Sequence, residues 1–143
     1  MTQNLTLREK DKIVKKIYRN YQRAQLDILF FNQHYNYYPQ IDLFKVGERP
    51  VSYNQGDQAF INQLQKKQEL ESFCEIIHQI QKYLSRDAYF FIEHEYLNFY
   101  DRNWWVPYFS RASYYRLKHQ ALNEFLEYAL AYWNLKDMRE MVK

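Results

Sequence analysis

The chain predicts an all-α fold: a long N-terminal helix, a long loop, and further helices ending in a helix-turn-helix unit. Three observations carry that reading. Only 2 glycines and 3 prolines occur in 143 residues, against averages of ~7% and ~5%, so the tight turns that sandwiches, barrels and doubly wound sheets need at every connection are scarce. Apolar side chains recur every three or four residues over long stretches, the period of a helix with one buried face. Apolar residues at 47% and charged residues at 26% are those of a folding chain, and its length suits one helical domain over residues 1–143.

The first helix is expected over residues 6–36. Thr6 and Glu9 have capping-box spacing, each side chain positioned to satisfy the other's orphan amide donor. Ile13, Ile17, Tyr21, Ala24, Ile28, Phe31 and Tyr35 then form one apolar stripe, with Lys12, Lys15, Lys16, Arg19 and Arg23 on the opposite face. Pro39, Gly47, Pro50 and Gly56 fall within residues 37–57, which are expected to form a loop of a length often tied to function. Asp57 is placed to cap a helix over 58–84 that buries Phe60, Leu64, Phe73, Ile77, Ile80 and Leu84.

Residues 85–133 are expected to form a helix-turn-helix-like unit. Ser85 caps a helix from Arg86 to about Phe99 that buries Tyr89, Ile92, Tyr96 and Leu97. A short scaffold piece from Asn103 to Phe109 follows, containing Trp104, Trp105 and the helix-breaking Pro107. Ser110 then caps a helix from Arg111 to about Trp133, with Tyr114, Leu117, Ala121, Leu122, Phe125 and Ala129 inward, and a short helix continues toward Met141.

The net charge of +3 is small but unevenly placed. Residues 1–36 hold seven Lys or Arg against three acids, residues 101–126 four against two, and residues 37–100 six against nine. Two basic ends around an acidic middle can be a nucleic-acid footprint, with cations displacing counterions from phosphates. The same pattern can also be solvated helix faces.

Several chemistries are disfavoured. Isolated glycines cannot cradle a phosphate, and no Cys/His set has zinc spacing. Cys74 with His78, and His94 between Glu93 and Glu95, could each join a metal site, but Cys74 is expected as a small buried hydrophobe and His94 as an exposed residue in ionic contact. No nucleophile has a nearby base, so neither an enzyme nor a cofactor is expected. A single cysteine and the absence of a signal-like or bilayer-length apolar run make a cytoplasmic protein without membrane attachment the expectation. Most tyrosines, Tyr18, Tyr21, Tyr35, Tyr89 and Tyr96 among them, are expected to fill core volume, although rings such as those of the Tyr35 to Tyr38 cluster can also stack on unpaired bases.

The segment from Phe109 to Phe125, FSRASYYRLKHQALNEF, resembles the recognition helix of region four in bacterial sigma factors. It is more closely similar to the ArpU family of phage transcriptional regulators, which carry a related Ser-Arg-Ser-Thr-Tyr-Tyr-Arg-Leu-Lys motif followed by Ala-Leu. The segment opening Ser85-Arg-Asp-Ala-Tyr89 resembles the start of the same unit, and the chain's length and composition also resemble an uncharacterised mycoplasma family. The ArpU and sigma likeness implies a transcription regulator binding double-stranded DNA. Arg111, Ala112, Ser113, Tyr115, Arg116 and His119 would face the major groove, while Lys15, Lys16 and Arg19 touch phosphates. RNA polymerase is a further implied partner. The alternative is a helical interaction module that docks on RNA polymerase or another protein without touching DNA, a reading favoured by the shortened scaffold piece with Pro107.

Overall fold

In a computed structural model, residues 5–34, 55–98 and 101–140 are described. All regular structure among them is helical, as the composition predicts: α1 (Leu7–His34), α2 (Gln55–Tyr83), α3 (Arg86–Ile92) continuing into a π-helical turn (Glu93–Leu97), α4 (Arg111–Ala129) and α5 (Leu135–Glu140). No helix among the described residues is long and apolar enough to cross a membrane. The chain divides into two compact units, one made of residues 1–20 and 76–143, the other of residues 21–75.

In the first unit, α1 opens on Thr6. Its hydroxyl accepts from the Glu9 N–H at 3.2 Å, and donates to the Glu9 carboxylate at 3.2 Å, so that carboxylate meets the hydroxyl where the sequence predicts a bond to the amide. Ile13, Val14, Ile17 and Tyr18 then point inward and are almost fully buried. Tyr18 lies parallel to Tyr96 with centroids 6.1 Å apart and tilts against Phe125 at 5.4 Å, while its hydroxyl accepts from the Gln81 amide at 3.0 Å. Each such side chain contributes roughly 1.5–3 kcal/mol by leaving water. Ile77, Ile80, Phe91, Ile92, Leu122, Phe125, Leu126 and Met138 are among the other side chains of this core.

Several boundaries differ from expectation. The α2 helix begins at Gln55, so Asp57 lies within its first turn and is not its cap. The remainder of the expected 37–57 loop, with Tyr35 and Asn36, lies outside the described residues. Ser85 does cap α3, accepting from the Ala88 N–H at 3.3 Å. The inward positions, however, are Ala88, Phe91 and Ile92; Tyr89 is 39% exposed. The α-helical path stops at Ile92. One wider π turn follows, closed by the Asn98 N–H donating to the Glu93 carbonyl at 2.8 Å.

The scaffold piece at 103–109 is a run of turns. Trp104, Val106 and Tyr108 donate their N–H groups to the carbonyls of Asp101, Asn103 and Trp105 at 3.3, 3.1 and 2.9 Å, and the Asp101 carboxylate accepts from the Asn103 N–H at 2.8 Å. Proline at 107 supplies no donor, which suits a turn better than a helix. The α4 helix ends at Ala129, four residues before Trp133, where bonds between residues three apart tighten the chain. Asn134 then caps the short α5 by accepting from the Asp137 N–H at 2.7 Å.

The second unit holds the later half of α1 and the first part of α2. Among its described residues Tyr21, Ala24 and Cys74 are the buried apolar ones, and the Phe31 ring lies 6.4 Å from Phe60 at 27°. Lys67 places its ammonium 5.1 Å over Phe31 and 3.6 Å from Glu71. Leu26, Leu29 and Phe30 on α1 stay exposed.

Candidate nucleic-acid interface

The first turns of α4 hold most of the expected contact residues. Ser110 takes an extended conformation (φ −71°, ψ 164°), and its hydroxyl oxygen accepts from the Ser113 N–H at 3.2 Å. The Ser110 hydroxyl also donates to the Ser113 hydroxyl oxygen at 3.0 Å, which holds Ser113 half-buried against its cap. Arg111, Ala112, Tyr115, Arg116 and His119 are exposed. No acid occupies the first turn of α4, so the positive end of the helix dipole adds to the charge of Arg111 and Arg116. Arg111 also reaches over the Tyr115 ring, 5.9 Å from its centroid.

Tyr114 fixes how this face is presented. Its ring is buried, stacks on Trp105 at 4.7 Å and 26°, and meets Tyr115 edge-on at 5.2 Å. Its hydroxyl donates to the Glu95 carboxylate at 2.5 Å. Burial, and then the bond to Glu95, push this phenol far above its ordinary value. Lys118 lies 5.8 Å over the same ring and 3.3 Å from Asp11, whose carboxylate also accepts the Tyr96 hydroxyl at 2.6 Å. Burial, followed by the Asp11 charge, pushes the Tyr96 phenol up as well. These bonds lock α4 to the π turn and to the start of α1.

The α1 residues expected at phosphates gather at a second place in this unit. Lys15, Lys16 and Arg19, joined by Lys12, line a shallow depression of about 300 Å³. Lys12, Lys16 and Arg19 are exposed and Lys15 is half-buried. Lys10, part of the N-terminal charge surplus, is withdrawn from the surface: it is 8% exposed and donates to the Asn123 side-chain carbonyl at 2.6 Å.

Two expectations for single residues fare differently. Cys74 is buried as expected, and burial, aided by the nearby Glu71 charge, raises its thiol. His94 is not an exposed ion-pair residue. It is half-buried between Phe90 at 4.2 Å and Trp104 at 5.0 Å, with Nδ1 2.9 Å from the Phe90 carbonyl. No group of three metal-ligating side chains occurs among the described residues.

Sequence reasoning missed the network of Asp11, Glu95, Tyr96, Tyr114 and Lys118, since its members belong to segments far apart in the chain. It also does not place Phe90 and Phe91 against Trp104, although the density of rings from Tyr89 to Tyr115 is a visible signal. No family model matches the chain, and no curated protein or solved structure does.

Proposed function

We propose that the protein is a cytoplasmic DNA-binding transcription regulator, sigma-like or ArpU-like, that places the start of α4 in the major groove of double-stranded DNA. The observation that carries this reading is the α4 N-terminus: Arg111, Ala112, Tyr115, Arg116 and His119 are exposed on a helix whose first turn holds no acid. Arginine at such a position can make bidentate bonds to guanine, and a small neighbour such as Ala112 permits close approach. The α1 cations Lys12, Lys15, Lys16 and Arg19 suit phosphate contacts that set register without reading sequence.

The test is fluorescence anisotropy with duplexes enriched from a random pool and with unselected duplexes, over a series of salt concentrations. The reading requires tighter binding to the enriched duplexes and a slope of log K against log salt that reports several phosphate contacts. Equal affinity for both pools would reduce it to non-specific binding.

One observation favours docking on RNA polymerase or another protein in place of DNA. The run of turns over 102–108 is not the short connection of a helix-turn-helix, and it exposes Val106 and Tyr108. A tagged pull-down with and without nuclease separates the two: polymerase recovered after nuclease, together with no duplex binding at low salt, would put docking first.

A further inference from the structure

We propose that the turn region ahead of α4 is a stacking platform for an unpaired nucleic-acid strand. This goes beyond the duplex reading, because its central ring, Tyr108, lies outside the α4 face assigned to the major groove. Tyr108 is 66% exposed, yet its ring is held from behind, edge-on to Phe90 at 6.1 Å and against Phe109 at 6.3 Å. Tyr115, 42% exposed, is supported in the same way by Tyr114, which itself stacks on Trp105. A solvated ring backed by a packed cluster loses little rotamer freedom when a base lies on it, so most of the stacking energy is retained as affinity.

The charge beside Tyr115 fits the same ligand. Arg111 sits over Tyr115, and neither it nor Arg116 meets an acid in the first turn of α4. Rings for the bases beside cations for the backbone are what sequence-tolerant single-strand binders combine. An apolar protein partner would make no use of these cations, and a duplex keeps its base faces stacked away from Tyr108. An unpaired strand uses both.

The experiment is fluorescence anisotropy of end-labelled oligo-dT and oligo-rU of about 12 nucleotides at low salt, spanning several bases of the kind stacked in such sites, with a duplex of equal length alongside. Tryptophan emission supplies a second signal, since Trp105 lies within the cluster. The expected result is binding of one or both oligomers with quenched emission, with the two arms separating DNA from RNA. Tyr108→Ala should weaken single-strand affinity about tenfold while Tyr108→Phe and duplex affinity stay close to wild type. Failure of both oligomers to bind would overturn the proposal, as would unchanged affinity in Tyr108→Ala or an equal loss on duplex and single strand. Duplex binding without oligomer binding sinks this inference alone; oligomer binding without duplex binding sinks the duplex reading alone.

Discussion

The Glu124 carboxylate on α4 holds the N-cap of α3. One oxygen accepts the Ser85 N–H at 3.0 Å and the other accepts the Ser85 hydroxyl at 2.8 Å, while that hydroxyl accepts the Ala88 N–H at 3.3 Å. A cap that in isolation serves one helix end therefore also ties two helices separated in the chain. Glu124→Ala should cost about 1–2 kcal/mol, because it removes both Ser85 bonds and the Gln120 amide bond to a charged acceptor at a partly solvated site. Urea denaturation followed by circular dichroism measures this, and a midpoint equal to wild type would show that water replaces the carboxylate.

The same contact gives the protein an acid-sensitive element. Burial alone would raise the Glu124 carboxyl, but the Ser85 N–H, the Ser85 hydroxyl and the Gln120 amide outweigh it, and the group sits below its ordinary 4.5. A carboxyl lowered in the folded state contributes stability that is complete above its unfolded value and is lost as pH falls through the folded value. Stability should thus decline below about pH 4.5, and Glu124→Gln should decline less steeply there. Parallel curves for the two proteins would locate the acid sensitivity in another carboxyl.

At the alkaline end the sign reverses. Tyr96 and Tyr114 are held neutral, first by burial and then by the Asp11 charge for Tyr96 and the hydrogen bond to Glu95 for Tyr114. A phenol raised in the folded state contributes stability that is complete below its unfolded value, near 10, and is lost as pH rises past it. Unfolding by base should therefore accompany the appearance of phenolate absorbance from these residues. Tyr114→Phe should flatten the alkaline loss, and a stepwise phenolate titration with no unfolding would contradict this.

Local signals were readable in the chain, and long-range ones were not. The caps at Thr6, Ser85 and Ser110 depend on residues three positions away and stand where the sequence puts them. So does the inward row of Ile13 and Ile17 on α1. The division into two units passes between Asn20 and Tyr21 and between Glu75 and Ile76, inside continuous helices, where composition marks no linker. Lys10 reads as a surface cation because its partner, Asn123, is 113 residues away. The π turn is equally hidden: Tyr96 meets Asp11 across 85 residues, and Glu95 meets Tyr114 on another helix. On the candidate face, the periodicity of α4 alone separates buried Tyr114 from exposed Tyr115. The turns that replace a scaffold helix are closed by the Asp101, Asn103 and Trp105 carbonyls, and of this arrangement only the break at Pro107 shows in the sequence.

Cys74 supplies a probe of the second unit. Its thiol is buried and raised, first by burial and then by Glu71, and only the thiolate attacks an alkylating reagent at a useful rate. Maleimide should react at least about tenfold more slowly with the native protein than with the protein in urea. Fast native labelling would mean that this part of α2 opens readily.

The duplex reading makes its sharpest demand on two kinds of cation in the first unit. Arg116 is exposed near the start of α4, where a guanidinium can span two acceptors on a guanine edge, whereas Lys16 lines the α1 depression and can offer only a point charge. Arg116→Ala should cost about 1–3 kcal/mol on enriched duplexes and little on unselected ones, because the lost contact reads sequence. Lys16→Ala should weaken both by a similar factor and lower the salt slope by about one, because a phosphate contact is the same on every sequence. Anisotropy titrations of the two variants on both pools decide the matter. Equal losses from Arg116→Ala on both pools would place Arg116 at the backbone and leave α4 without a base-reading role.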